Sequence, residues 1–202
     1  MEKFYLEIPS LERKEEALDY LEEFEKYKSD MHGSFGLQRC KNGLTYEEWL
    51  NDTLMTMDKE YAENLGRVPT NTYFMIRKDD NRIVGMINVR HYLNAVFKII
   101  GGHIGGSIRP TEREKGYSKI QLYLALQECK KLGIEEAMVD CVKSNIKSDK
   151  AIKSIGGVLD KEFYYPIRKI VIRNYKINVD ESLEKYKSEV YQYIYSSKKK
   201  EL

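Results

Sequence analysis

The 202-residue sequence has few of the features that mark secreted, metal-bound or membrane proteins. Its three cysteines, Cys40, Cys129 and Cys141, are widely spaced and form no CxxC pair, which argues against a disulfide framework or a zinc site. No stretch approaches the roughly 20 apolar residues that span a bilayer, and the N-terminus lacks the apolar run of a signal peptide. We therefore predict a soluble, cytoplasmic protein with no metal and no membrane partner.

An excess of charge of one sign is also absent. The chain has 34 basic and 32 acidic residues, for a formal net charge of +2. Nucleic-acid-binding proteins usually concentrate a basic excess on one face, so we predict no nucleic-acid partner. Any phosphate site in this chain must be local.

Hydrophobic periodicity predicts an alternation of helices and strands. Strands are predicted at 4–8, 73–76, 82–92, 101–108, 136–142, 158–163 and 167–175, the last of them at a sheet edge. Helices are predicted at 11–28, 45–64, 118–132, 145–155 and 180–196, with Ser10 as an N-cap, a capping box at Thr45 and Glu48, and a loop at 29–44. This order predicts an α/β protein with a mixed sheet rather than a doubly wound nucleotide-binding fold. Residues 1–178 form one predicted domain, and 179–202 an amphipathic helix with a basic tail at Lys198 to Lys200.

The segment from Arg109 to Ser118 joins a glycine-rich predicted strand to the longest predicted helix in this part of the chain. A helix N-terminus leaves several backbone N–H groups unpaired and carries partial positive charge, so a turn that points them inward can hold a pyrophosphate. Gly116 permits a positive φ and a close approach of the backbone, and Arg113 and Lys115 add local charge. The segment lacks the Gly-Lys-Ser/Thr of a Walker loop and two glycines of the dinucleotide fingerprint.

This turn resembles the acyl-CoA motif of the GNAT superfamily of N-acetyltransferases. Ile108, Pro110, Arg113 and Gly116 match its pattern, an apolar residue, x, Pro, two residues and Arg/Gln-x-x-Gly-x-Gly/Ala, while Ser118 replaces the usual Gly or Ala.

A second marker of that superfamily, Asn-x-x-Ser/Ala at the start of the following helix, is matched by Asn145 and Ser148. The element order from residue 4 to residue 175 also fits, so the resemblance covers nearly the whole chain. The stretches Arg90-His91 and Gly102-His103 further resemble a bacterial subgroup of uncharacterised predicted acetyltransferases.

The resemblance implies a mostly antiparallel central sheet with helices on both faces, an extra C-terminal helix, and acetyl-CoA as co-substrate. It implies that the strands at 101–108 and 136–142 separate, leaving backbone groups that bind the pantetheine arm. A backbone N–H near Ile108 would polarise the thioester carbonyl, a contribution often worth about 3–4 kcal/mol, and Asn145 would bind the pantetheine. The predicted cofactor-binding residues are Ile108, Arg109, Arg113, Glu114, Lys115, Gly116, Tyr117, Ser118, Asn145 and Ser148.

The implied reaction is a direct displacement in a ternary complex, in which a neutral primary amine attacks and a base takes its proton. His103 and His91 are the candidate bases, although a strand histidine also often serves to bond the backbone. His32 is a candidate substrate contact. Many relatives carry a tyrosine seven residues after the asparagine as general acid, and this chain has Ile152 there; Tyr164 and Tyr165 are the alternatives, with nothing to single them out.

The acceptor groove implied by the resemblance lies between the loop at 29–44 and the segment at 164–167. The loop has no acidic cluster, so a polycationic acceptor gains little support, and the amine belongs to an unidentified small molecule or peptide. The C-terminal helix either covers the sheet or makes a homodimer contact. A non-catalytic acyl-CoA-binding sensor or adaptor of the same fold is the alternative function.

Overall fold

Seven strands and six α-helices make up residues 1–195, the part of the chain that the computed structural model describes. The strands are β1 (Phe4–Glu7), β2 (Thr70–Arg77), β3 (Arg82–Arg90), β4 (Ile104–Ile108), β5 (Glu136–Val142), β6 (Val158–Tyr165) and β7 (Ile170–Asn178). The helices are α1 (Lys14–Lys26), α2 (Tyr46–Met55), α3 (Lys59–Asn64), α4 (Tyr117–Lys131), α5 (Ile146–Lys153) and α6 (Val179–Val190).

The strands form one mixed sheet in the order β1-β2-β3-β4-β5-β7-β6. Neighbouring strands are antiparallel except β4 and β5, which are parallel and pair only where Ile104 lies opposite Val139. The predicted mixed, mostly antiparallel α/β architecture is therefore confirmed. Beyond this single pair, no hydrogen-bonded ladder joins β4 to β5, so a gap lies between the two strands within the described sheet.

Each face of the sheet is covered by its own helices. On one face, α4 buries a broad apolar surface that includes Leu124, Ala125 and Leu126 against β2 to β5. On the other face, Tyr20 of α1 and Trp49 of α2 pack on β2 and β3, and the Trp49 indole donates to the Ser34 carbonyl oxygen at 3.0 Å. That bond satisfies a buried polar group and fixes the loop between α1 and α2 to the helix.

Several sequence-based predictions differ from the structure. The helix predicted at 45–64 keeps its capping box between Thr45 and Glu48 but divides into α2 and α3, because Asp58 caps a new helix by accepting from the Tyr61 N–H at 2.8 Å. The strand predicted at 101–108 begins at Ile104, since Gly101 and Gly102 both have positive φ. The last strand is not an edge strand: β7 lies between β5 and β6, and β6 forms the edge.

The C-terminal helix α6 packs against α4. Its Val179 and Val190 are buried in the α4-side core, and the Tyr123 hydroxyl donates to the Leu183 carbonyl oxygen at 3.0 Å. Beyond it, the Tyr195 N–H donates to the Phe4 carbonyl oxygen at 2.8 Å. The helix predicted at 180–196 is shorter than expected: it ends at Val190 and is followed by a 3-10 turn at Tyr191–Tyr193. The basic tail at 198–200 lies outside the described residues.

Candidate active site

The gap between β4 and β5 exposes backbone hydrogen-bonding groups of β4. The Arg90 N–H donates to the His103 carbonyl oxygen at 2.8 Å and the Arg109 N–H donates to that of Val84 at 2.9 Å, so the odd-numbered residues of this segment bond to β3. In an antiparallel ladder the alternate residues turn their N–H and C=O groups the other way. Gly106 and Ile108 therefore face β5, from which β4 has already separated.

The turn at the end of β4 opens onto the N-terminus of α4. Gly116 precedes the helix with φ of 82° and ψ of 0°, and Glu114 also has a positive φ of 67°. A Cβ built on Gly116 would meet no atom within 4 Å among the described residues, so the backbone there is open to a ligand. The first N–H groups of α4 have no helical acceptors, and with the dipole of a 15-residue helix they suit a phosphate group.

Arg113 and Glu112 hold this turn in place. The Arg113 guanidinium donates to the Ile108 carbonyl oxygen at 3.0 Å and to the Ser29 hydroxyl at 2.7 Å, which binds the turn to the end of α1. The buried Glu112 carboxylate accepts from Arg77 and Lys115, both at 2.8 Å. Burial alone would raise the pKa of Glu112, but the hydrogen bonds from Lys115 and Arg77 outweigh it and lower the pKa.

Arg109 does not face the cofactor gap, so the sequence-based assignment of this residue to cofactor binding gains no support. Its side chain is fully buried and donates two hydrogen bonds of 2.8 Å to Asp19 of α1. Its N–H donates to Val84, and its carbonyl oxygen accepts from the Glu112 N–H. Side chain and backbone are thus both engaged in anchoring the turn. Tyr117 is likewise buried, and its hydroxyl contacts Arg77 and Glu2.

The second motif lies across the gap at the N-terminus of α5. The Asn145 side-chain oxygen caps this helix by accepting from the Ser148 N–H at 3.1 Å, which leaves its exposed amide nitrogen as the donor it can offer to a ligand. An ion pair between Glu114 and Lys147 joins the turn before α4 to the first turn of α5. The two helix N-termini that the sequence motifs mark are therefore neighbours.

Neither candidate histidine is placed as a free base. His103 Nδ1 accepts from the Met138 N–H at 2.9 Å, so in the neutral ring the proton sits on Nε2 and no lone pair remains. Burial, and then the nearby Arg90 charge, lower the pKa of His103 to about 4. His91 Nε2 lies 2.8 Å from the side-chain oxygen of Asn71 on β2, the side of β3 away from β4, and burial lowers its pKa.

The loop between α1 and α2 lies directly on β4. The Ser107 hydroxyl donates to the His32 carbonyl oxygen at 2.7 Å. A Cβ on Gly33 would lie 2.2 Å from the Gly105 carbonyl oxygen, so only glycine permits this close approach. The loop therefore places His32 beside β4, on the α1 face of the sheet.

The general-acid position stays without a titratable side chain. Ile152 is 1% exposed and belongs to the core. Tyr164 and Tyr165 lie at the end of β6, an edge strand three positions from β4 in the sheet, with Tyr164 59% exposed. The geometry singles out neither tyrosine.

Sequence reasoning missed a polar group where β4 and β5 part. Asp140 of β5 accepts from the Gly101 N–H at 2.8 Å, and Arg90 donates to the Gly101 and Gly102 carbonyl oxygens at 3.1 and 2.9 Å. Burial raises the pKa of Asp140. The signal available in the sequence was a single carboxylate within an otherwise apolar strand, Ala137 to Val142.

Two further observations concern metals and membranes. Within residues 1–195, no group of three or more His, Cys, Asp or Glu side chains is arranged to hold a metal ion. None of the helices in that range combines the length and apolar content that a bilayer crossing requires.

Comparison with solved structures shows the same fold in acetyltransferases. A ribosomal-protein-S5-alanine acetyltransferase from Vibrio fischeri matches with a TM-score of 0.63 and 17% identity, over 88% of this chain and 94% of that one. A chimera of the spermidine N-acetyltransferase from Vibrio cholerae matches with a TM-score of 0.57 and 12% identity, over 90% of this chain and 99% of that one. The microcin C7 self-immunity acetyltransferase, solved with acetyl-CoA and AMP, matches with a TM-score of 0.59 and 16% identity, over 86% and 91%.

At the level of sequence, no curated protein gives a significant match. The profile described as "Acetyltransferase (GNAT) domain" matches residues 11–158, which include the turn before α4, the gap between β4 and β5, and both helix N-termini. This chain belongs to the GNAT acetyltransferase family.

Proposed function

We propose that this protein is an acetyl-CoA-dependent N-acetyltransferase that acetylates a primary amine by direct displacement in a ternary complex. One observation carries the proposal: the backbone N–H groups of Gly106 and Ile108, which face the gap, lie beside the open N-terminus of α4. A single elongated ligand with a phosphate end and an amide-containing arm fits both features. Acetyl-CoA has this shape, and it is the ligand of the microcin immunity enzyme of the same fold.

Each part of the gap has its own task in this proposal. The N–H groups of Gly116 to Ser118 hold the pyrophosphate, and Asn145 offers its amide nitrogen to the pantetheine arm. Gly106 and Ile108 are two residues apart, about 6.6–6.8 Å along a strand. The Ile108 N–H therefore bonds a pantetheine amide, and the Gly106 N–H, nearer the point of separation, polarises the thioester carbonyl.

The rate gain then has two sources. A preorganised N–H at the carbonyl oxygen stabilises the charge that develops in the transition state, typically by about 3–4 kcal/mol. Holding amine and thioester about 3 Å apart supplies much of the rest, because the entropy of bringing them together is lost on binding.

The charge of the loop beside β4 narrows the class of primary amine that we expect as acceptor. Fold relatives act on a ribosomal protein alanine and on spermidine. The wall beside β4 here is the loop at 29–44, whose only carboxylate is Asp30, so it offers a polycation little charge. We therefore favour a monoamine or a peptide N-terminus as the acceptor.

The direct test incubates the purified protein with acetyl-CoA and a panel of primary amines: peptides with free N-termini, small monoamines and spermidine. Free thiol release measures turnover, and mass spectrometry locates the acetyl group. An N-acetylated product with stoichiometric thiol is the expected result. Binding of acetyl-CoA without turnover on any amine would contradict the proposed transferase activity. It would favour the second candidate function, an acyl-CoA-binding sensor, which the buried Ile152 at the general-acid position supports.

A further inference from the structure

We propose that Asp140 is the general base of the reaction, and that the acceptor amine is received over Gly105, between the side-chain oxygens of Asn88 and Asp140. The inference rests on the proposed function and assigns residues to its acceptor side. Its basis is a row of residues that crosses four neighbouring strands at one level.

Strand register defines that row. Asn88 of β3 lies opposite Gly105 of β4, and Asp140 of β5 lies opposite Asn174 of β7. Ile104 lies opposite Val139, so Gly105 and Asp140 are each one residue past the last pair that joins β4 to β5. The row thus crosses the sheet just where the gap begins.

The row faces the α1 side of the sheet. Val139 and Cys141 are buried in the α4-side core, so Asp140 between them points to the opposite face. A Cβ on Gly105 would lie 3.0 Å from Asn88 Oδ1 and 3.7 Å from the Gly33 nitrogen, which belongs to the loop on the α1 side. Gly105 has no side chain of its own to stand between Asn88 and Asp140, and the Arg90 guanidinium also lies near this position, with Nη1 3.9 Å from such a Cβ.

Two side-chain oxygens in this row accept no hydrogen bond from the described residues. Asn88 and Asn174 are 5% and 2% exposed, and the Oδ1 atom of each is buried with no donor among the described residues. Buried acceptors are almost always paired, so the Asn88 oxygen, which lies beside Gly105, points to a ligand that brings an N–H group. A primary amine is such a ligand.

Asp140 is held with one oxygen engaged. Its Oδ2 accepts from the Gly101 N–H, whose carbonyl oxygen is in turn bound by Arg90. No donor to Oδ1 is recorded within residues 1–195, so this oxygen can take a proton. Burial raises the pKa of the carboxyl, and the hydrogen bond from the Gly101 N–H, the Arg90 charge and His32 of the loop oppose that rise without cancelling it.

The proposed step balances as follows. The amine nitrogen attacks the thioester carbonyl carbon, and as the C–N bond forms Asp140 Oδ1 takes one proton from that nitrogen. The C–S bond then breaks, its electron pair goes to sulfur, and the amide forms. The thiolate takes a proton from water and Asp140 releases its own to solvent, so one amine and one acetyl-CoA give one acetamide and one CoA thiol.

The test compares Asp140→Asn with wild type, using acetyl-CoA and the amine from the panel that wild type acetylates fastest. Asparagine keeps an oxygen for the Gly101 N–H but cannot act as a base, so kcat should fall 100-fold or more while the Kd of acetyl-CoA changes less than twofold. The acid limb of the pH profile of kcat/KM should disappear. Glu136→Gln, which removes an exposed carboxylate of the same strand, is the matched control and should keep both kcat and the limb.

The outcomes separate this inference from the function on which it rests. Wild-type acetylation with an Asp140→Asn rate within threefold of wild type would overturn Asp140 as base but leave the proposed function standing. No transfer by wild type to any amine would overturn both. If Asp140→Asn does not fold, Asp140→Glu carries the test: the acid limb should remain but move, and a limb identical to that of wild type would overturn the assignment.

A separate variant tests the amide oxygens. Asn88→Ala should raise the KM of the amine at least fivefold while the Kd of acetyl-CoA stays within twofold. An unchanged KM would remove Asn88 from the acceptor site.

Discussion

A pair of glycine variants at the two ends of α4 separates ligand binding from backbone strain. Gly116, before the helix, and Gly133, after it, have φ of 82° and 73°, and a Cβ on either would meet no described atom within 4 Å. Alanine at each position therefore costs only the left-handed conformation, about 1–2 kcal/mol, partly offset by about 0.4–1 kcal/mol from the stiffer unfolded chain.

The net cost is about 1 kcal/mol for either variant. In a domain of this size, each kcal/mol lowers Tm by roughly 2–4 °C, so Gly116→Ala and Gly133→Ala should melt at similar temperatures, a few degrees below wild type. Their ligand affinities should differ. A methyl group at Gly116 would lie where the pyrophosphate approaches, and we expect the Kd of acetyl-CoA to rise at least tenfold, which is about 1.4 kcal/mol.

Isothermal titration with acetyl-CoA measures the affinities, and differential scanning calorimetry measures the melting temperatures. Gly133→Ala should bind acetyl-CoA within twofold of wild type. Equal affinities for the two variants would refute the assignment of the α4 N-terminus as the phosphate site, whatever their stabilities.

Three other variants give distinct readouts. In Gly33→Ala, the new Cβ would lie 2.2 Å from the Gly105 carbonyl oxygen, at a residue whose φ is +71°. Chemical denaturation should therefore show a loss of at least about 2 kcal/mol in the free energy of unfolding, and the KM for the amine should rise. Wild-type stability would refute the close packing of the loop on β4. Arg109→Lys loses one of two hydrogen bonds to Asp19, so the free energy of unfolding should fall by about 1–2 kcal/mol while the Kd of acetyl-CoA stays unchanged. A higher Kd at wild-type stability would show instead that Arg109 binds the cofactor. Hydrogen bonds from Lys153, Tyr175 and Arg173 lower the pKa of Asp149 to about 2. The stability they give is present above the ordinary pKa of 3.8 and is lost as the pH falls towards 2, so the Tm of Asp149→Asn should decline less steeply than that of wild type between pH 4 and pH 2. An equally steep decline would contradict the stabilising role of the ionised Asp149.

Local patterns in the sequence predicted most of the elements well. The bounds of β5, Glu136–Val142, are those predicted, and the capping box at Thr45 and Glu48 forms as its residue types require. Both features depend on residues close together in the chain, where alternation and helix capping are decided by local geometry.

Features that depend on distant segments were predicted less well. The place of β7 inside the sheet is set by its pairing with β5 and β6, and nothing in its own alternation distinguishes an inner strand from an edge strand. Arg109 was predicted to bind the cofactor with the rest of the turn, yet its guanidinium binds Asp19, 90 residues away. His103 looked like a base until the Met138 N–H was found on its Nδ1.

The candidate base shows the same limit. Asp140 is ordinary in sequence and becomes distinctive only when register places it beside Gly105 and Asn174, at the level where β4 and β5 separate. The two cofactor motifs, by contrast, were recognisable because each is a short segment at a helix N-terminus.

A crystal structure of the protein with CoA bound would show whether the gap between β4 and β5 and the N-terminus of α4 form the cofactor site. We expect pyrophosphate oxygens within about 2.7–3.2 Å of the backbone nitrogens of Gly116 to Ser118, and pantetheine hydrogen bonds to the backbone of Gly106 and Ile108. CoA bound away from the gap between β4 and β5, or bound there with its pyrophosphate away from α4, would contradict this expectation.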